Sequence, residues 1–317
     1  MRNKLSAERG TAIIVALFVM SIAAAMAVAM MLRLQVDIHR TQLVLNAQNA
    51  ELYAEGSVYW AVEQLNQNVK NQKPQLLVDH TPIVSPENQV RQYHIQSTIY
   101  DAQANFNLNS LLVSGTKNDF IRLLSATSPK TSPDIINTIA DATVDWLAPD
   151  SNTERFRQAY AKASPPYIAA HTPMVSSSEL RLVFGMTPEI YTQVIPYVMA
   201  FPPTGPNDLV PININSAEAP VLMSLIPNLS IDAAKGIVAY RKATPFQTVD
   251  DFLNYTTVKS NAPSNLKDKI TVTSNYFLLK TSVTVGQQQT LLYTLLKRNP
   301  VGSEGNTTVL WQTKGSL

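Results

Sequence analysis

There is no cysteine in these 317 residues. That removes thiol nucleophiles, zinc–thiolate centres and iron–sulfur clusters, and it leaves the chain indifferent to an oxidising compartment. Histidine is scarce: His39, His80, His94 and His171 are the four, and none gives a paired metal-ligand spacing. Glycine numbers only ten, and no G-x-S-x-G, P-loop or G-x-G-x-x-G is assembled from them. Charged residues make up 15% and are balanced in sign. The first ten residues hold three bases and one acid, which leaves 22 of each in the rest. A chain without basic excess is a poor candidate for bulk nucleic-acid binding. Ser176-Ser177-Ser178 reads as a helix cap, not a nucleophile. Asp250-Asp251 opens an expected helix, where the dipole favours acids. No enzyme is expected.

What is present is an ordinary globular composition, 45% hydrophobic, which excludes whole-chain disorder and collagen. The length predicts two domains. A basic leader, MRNKLSAERG, runs into Thr11–Leu32, 22 residues without a charge, proline or glycine. At about 1.5 Å per residue a helix there spans about 33 Å, enough to cross a bilayer core. The bases Arg2, Lys4 and Arg9 place the leader on the cytoplasmic side. A cleaved secretory signal, ending near Ala23–Ala25 or Ala29, and a plain signal anchor are competing readings. Against cleavage there, the run is long and the sequence beyond stays helical. Leu43, Ala47, Ala50, Ala54, Val58, Ala61 and Leu65 recur at steps of three and four, and no proline precedes Pro74. The spacing predicts one helix of about 55 residues, ending near Asn66, with a small-residue face made for close packing.

This leader and helix resemble the class III signal of type IV pilins and type II secretion pseudopilins. The resemblance implies cleavage by a prepilin peptidase between Gly10 and Thr11, with methylation of the new N-terminus. Most members carry Glu at the fifth mature position; here that position is Val15.

Beyond the helix, residues 66–87 read as loop with room for one short strand. Val90, Tyr93, Ile95, Thr98 and Tyr100 indicate a strand region, as do KITVTS, YFLLKTSVTV and TLLYTLLKR over residues 269–298, with a turn at Gly286–Gln289. Between them, Leu111 to about Lys267 shows helical spacing throughout, with caps at Ser132-Pro133, Ser176–Ser178, Ser230 and Thr248. Four further motifs stand in order: Asp101–Leu108 (DAQANFNL), Ile139-Ala140-Asp141 leading to Asp145-Trp146-Leu147, Ser177–Leu182 with Gly185, and Pro211–Ala217 (PININSA). Together with the leader they resemble the large minor pseudopilin of type II secretion, protein K, along nearly the whole mature chain.

That resemblance implies an α+β, pilin-like fold: a long N-terminal transmembrane helix on an antiparallel sheet, with a large helical insert containing a helix-hairpin-helix-like segment. The expected divisions are leader 1–10, membrane half 11–32, periplasmic half 33–66, pilin-like domain 67–109 and 270–317, and helical insert 110–269. It implies a single-pass inner-membrane protein with a cytoplasmic N-terminus and a periplasmic body. It also implies partnership with the I- and J-type minor pseudopilins and the rest of the pseudopilus, with no nucleic acid.

Two motifs compete with this reading. Residues 212–253 resemble the helix-hairpin-helix of DNA-binding and competence proteins. Here the hairpin is Ile226-Pro227-Asn228-Leu229-Ser230, which has no glycine, and Pro227 lacks a donor. Three bases (Lys235, Arg241, Lys242) face four acids (Glu218, Asp232, Asp250, Asp251), so an anionic duplex gains little. A membrane-anchored DNA-binding competence protein is the alternative, and a type IV pilus minor pilin a further one. The family also implies a calcium cluster after the Asp-Trp pair. Asp141, Asp145, Asp150 and Glu154 are the candidate ligands, since calcium needs six to eight oxygens. Ala148, Phe156 and Arg157 stand where acids are expected, so a solvated acidic loop is favoured and no cofactor is expected.

Overall fold

The computed structural model describes residues 2–70, 82–149, 153–203, 205, 209–298 and 307–315, with side chains from Thr11 onward apart from residues 68–70. Helix α1 runs unbroken over Arg2–Lys70, longer at both ends than the expected 11–66. Nothing in the leader interrupts it: proline is absent, and a single glycine costs only about 1 kcal/mol in a helix. From Ala50 upward one face is buried, through Ala50, Ala54, Val58, Ala61 and Leu65.

That face lies on an antiparallel sheet. Strand β3 (Tyr93–Asp101) carries β1 (Ile83–Val84) and β2 (Asn88–Val90) on one side and β8 (Tyr276–Val285) on the other. Strand β8 turns through Gly286, at φ 57°, into β9 (Gln288–Lys297), and β10 (Thr308–Lys314) closes the far edge. The turn is two residues shorter than expected, because Gln288 already pairs with Val285. Strand β10 was not foreseen in the sequence. Alternation is strict in β3, where Tyr93, Ile95, Ser97, Ile99 and Asp101 point inward.

Two apolar layers form between helix and sheet. Ala50, Ala54, Tyr93, Ile95, Val283, Val285 and Leu292 make the lower one. Val58, Ala61, Leu65, Ile99, Phe277, Leu279 and Leu296 make the upper one. Hydroxyls separate them: Ser57 Oγ lies 2.6 Å from Thr281 Oγ1, which lies 3.0 Å from Ser97 Oγ. Each hydroxyl is thereby satisfied where an unpaired one would be costly.

The helical domain is built twice over one plan. The first unit opens with β4 (Phe106–Asn107), continues through α2 (Lys117–Thr127), α3 (Pro133–Leu147), α4 (Glu154–Ala161) and α5 (Pro188–Val194), and returns in β5 (Val198–Met199), parallel to β4. The second opens with β6 (Ile212–Asn213), continues through α6 (Ala219–Leu225), α7 (Ile231–Ala243), α8 (Val249–Asn254), α9 (Thr256–Lys259) and α10 (Leu266–Lys269), and returns in β7 (Ile270–Thr271), parallel to β6. KITVTS therefore gives no strand of the main sheet; its two paired residues belong to the helical domain. The SSSEL stretch is a 3-10 helix over Ser177–Leu182. The chain enters the helical core by Phe106 and Leu108, just before the 109/110 division.

A leucine at Ala54 has no room between helix and sheet. Ala54→Leu should lower folding stability by about 1–3 kcal/mol, the usual cost of overpacking a close contact. Urea unfolding measures it; an unchanged midpoint would show that the helix does not approach the sheet this closely.

Candidate functional site

Among the described residues no three histidine or acidic side chains converge, and the features that stand out are surfaces and the joints that hold them. Helix α1 provides the first. Thr11–Gln67 is long and apolar enough to cross a membrane, with a mean hydropathy of 2.7 over its most apolar window, all of it unburied. Thr11 and Val15 sit on this exposed stretch, and Gly10 lies within the same unbroken helix. Above the apolar run, Ile38, Leu45, Leu52 and Tyr59 recur every seven residues and stay 51%, 51%, 64% and 82% exposed. Leu52 is two residues from both Ala50 and Ala54, which puts it about 200° around the helix from the sheet-facing side. An apolar stripe thus looks outward, opposite the packed face, and sequence periodicity had registered only the buried one.

The second feature is the joint between the sheet and the helical domain. Asp101, at the end of β3, is buried and accepts at Oδ1 from the Gln103 amide (2.9 Å) and at Oδ2 from Asn213 Nδ2 (2.9 Å) and Ser274 Oγ (2.7 Å). Burial pushes its carboxyl up, while hydrogen bonds from Ser216, Ser274, Asn213 and Gln103 pull against that shift. Gln103 Nε2 donates to the Pro211 carbonyl at 2.7 Å, and its oxygen accepts from the amides of Asn275 and Tyr276. The DAQAN stretch therefore ties β3 and β8 to the second helical unit.

The asparagines explain why one pattern occurs twice. Asn107 accepts from the Asn109 amide at 3.1 Å, and Asn213 accepts from the Asn215 amide at 3.0 Å. Asn109 then bonds both the N–H and C=O of Met174, and Asn215 both those of Phe246. Met174 and Phe246 each lie two residues before a capping box, Ser176 with Glu179 and Thr248 with Asp251. The signal was present as Phe-Asn-Leu-Asn-Ser and Ile-Asn-Ile-Asn-Ser, read as separate motifs instead of one repeated unit. Between the units, the buried Asp119 carboxylate meets the buried Lys269 and also Arg122, whose Nε donates to the Ser224 carbonyl at 2.7 Å. Burial pushes Asp119 up, against the pull of Lys269 and Arg122.

The nucleic-acid reading loses a base. Arg241 is buried and donates to the carbonyls of Ile214 and Ala217, leaving exposed Lys235 and Lys242. Two of the four calcium candidates are paired with cations. Asp141 pairs with Lys117 and Glu154 with Arg157. The Arg157 contact holds the Glu154 carboxyl below its ordinary range. Asp145 is buried in α3, and Asp150 lies outside the described residues. Among the described residues no three histidine or acidic side chains converge to hold a metal. Two acids engaged by cations, with Phe156 buried in the core, do not fit a calcium cage, whose ligands are free oxygens.

A family model described as type II secretion system (T2SS), protein K, matches residues 104–203, and a second with the same description matches residues 212–273. The two matches coincide with the two structural units. Type II secretion system protein K of Klebsiella pneumoniae is 27% identical over 305 residues, covering 90% of this chain and 92% of that protein. The protein of the same name from Pectobacterium carotovorum subsp. carotovorum is 26% identical over 319 residues, covering 91% and 93%. A chain in the crystal structure of the GspK–GspI–GspJ complex of the enterotoxigenic Escherichia coli type 2 secretion system superposes with a TM-score of 0.72 at 26% identity, covering 88% of this chain and all of that one.

Removing Asp119 leaves Lys269 buried without its partner. Asp119→Ala should cost about 3–5 kcal/mol, and the double variant with Lys269→Met clearly less than the two single losses combined. Additive losses in denaturant unfolding would refute the pairing.

Proposed function

The chain belongs to the protein K family of type II secretion systems, and from that premise we propose how it serves as a minor pseudopilin: as a membrane-anchored cap joined to other pilin-like subunits along its N-terminal helix. It is a structural part of the secretion machinery. Its partners would be the I- and J-type minor pseudopilins, since a relative of similar fold was solved as the GspK–GspI–GspJ complex. The observation that carries the reading is the single helix α1. Its lower part is apolar and unburied, and its upper part keeps the Ile38–Leu45–Leu52–Tyr59 stripe free after packing on the sheet. Exposed apolar residues at seven-residue spacing suit a second helix laid alongside. Competence-type DNA binding is not favoured, because Arg241 serves the fold.

The leader places the N-terminus in the cytoplasm and the body in the periplasm by the positive-inside rule. Cleavage by the prepilin peptidase falls after Gly10, and Thr11 becomes the methylated N-terminus. Val15 suits the first subunit of a filament. An acid at that place needs a partner amine on the subunit above, and a carboxylate alone in hydrocarbon costs several kcal/mol. A subunit with nothing above it avoids the cost by carrying valine.

Replacing Leu52 or Tyr59 by lysine should abolish copurification with the partner pseudopilins while leaving the unfolding midpoint unchanged. Retained assembly would remove the stripe from the interface. Mass spectrometry of the mature protein should find methylated Thr11 first, and Gly10→Val should leave the precursor uncut. An intact Met1 in the wild type, or secretion that requires Val15→Glu, would overturn the leader and tip assignments respectively.

A further inference from the structure

We propose that the C-terminal end of α3 is closed by protein donors and cations of this chain, with His171 as its clamp, and that this takes the place of a divalent cation there. The reason begins with Pro149. Asp145 lies in the last turn of α3, and its carbonyl would take its helical hydrogen bond from residue 149. Proline has no N–H to give. The next carbonyl past the helix end, that of Ala148, also faces out of the helix. Two oxygens of this kind are what a hard cation seeks.

Here one ring meets both. His171 Nδ1 lies 3.1 Å from the Asp145 carbonyl and 3.2 Å from the Ala148 carbonyl. Carbonyls only accept, so Nδ1 carries the proton and donates to the pair. His171 sits at φ 50°, a left-handed conformation that asparagine, aspartate and histidine adopt more readily than other residues with a side chain. The acids around the corner are engaged as well, Asp141 by Lys117 and Glu154 by Arg157. Arg155 lies over the rings of Phe156 and Phe184, 5.6 and 5.9 Å from their centroids. Phe156 is buried against Phe184, centroids 5.9 Å apart, so an apolar contact anchors the start of α4. Beneath it, Trp146 and Tyr160 meet edge to face at 5.6 Å, and the Tyr160 hydroxyl accepts from the Phe184 amide at 3.1 Å. Burial pushes that phenol up to about 12, so it stays neutral. Among the described residues, the Asp145 and Ala148 carbonyls and the Asp141 and Glu154 carboxylates are thus all engaged by donors of this chain.

The test uses the full mature chain in detergent, with hydrogen exchange of the amides from Ala148 to Tyr160 and thermal unfolding as readouts. In millimolar calcium and in chelator the wild type should give superimposable exchange and the same midpoint. His171→Gly keeps the left-handed backbone but removes the donor, and should speed exchange at the corner about three- to tenfold, the loss of one hydrogen bond. His171→Asn keeps a donor near the Nδ1 position and accepts the same φ, so it should retain most of the protection. Slower exchange or a higher midpoint for the wild type in calcium would overturn the proposal. So would His171→Gly exchanging like the wild type. If the glycine variant fails to fold, the asparagine variant and the calcium comparison still decide the matter.

Discussion

The structure depends on how closely α1 approaches the sheet. Alanine at 50, 54 and 61 lets the helix backbone settle onto β3, β8 and β9, and Val58 and Leu65 fill what remains. Because that face is spent on the sheet, the apolar residues on the opposite face have no internal partner. Because the helix continues downward without a break, the body and the membrane run share one axis. The hydroxyl row Ser57–Thr281–Ser97 adds what alanines lack. An alanine face slides easily from one turn to the next, whereas a polar contact in an apolar layer is satisfied in only one register.

Much of this was legible in the sequence. The stripe from Leu43 to Leu65 has a period near 3.6 that few other structures produce, and the helical stretch from Leu111 declares itself through Ser-Pro and Ser/Thr caps. What escaped did so for physical reasons. Strands β4 to β7 are two residues long, too short for alternation to register. Strand β10 is an edge strand, mostly exposed, so its residues are not forced to alternate strongly. The partners that silence the acidic corner, Lys117 and His171, lie 24 and 26 residues from Asp141 and Asp145, and Lys269 lies 150 from Asp119. No local pattern announces a contact of that range.

The helical domain shows how polar residues come to be buried in pairs. In each unit the second asparagine behaves like an extra peptide group, answering both the N–H and the C=O of one backbone residue. That satisfies a loop at its entry to the core, where an unpaired amide or carbonyl is costly. Arg241 does related work, its guanidinium given over to two carbonyls of the Ile214–Ala217 turn. A base that looks like a phosphate ligand in the sequence is here a brace for its own backbone.

The polar contacts along α1 have a mechanical consequence. Asn46 accepts from Tyr93 and Gln92, both at 3.1 Å. Ser57 meets Thr281, and Asn66 accepts from the amide and hydroxyl of Thr307 at 3.2 and 2.9 Å. These contacts join the helix to the sheet domain and are spread over about 30 Å of helix. A force along the axis therefore acts on several contacts at once, not on one. The smallest slip that restores the same face is one turn, about 5.4 Å, and it would misplace every one of them. The membrane helix and its body thus act as a single strut, whose length above the bilayer is set by side-chain chemistry and does not creep under load.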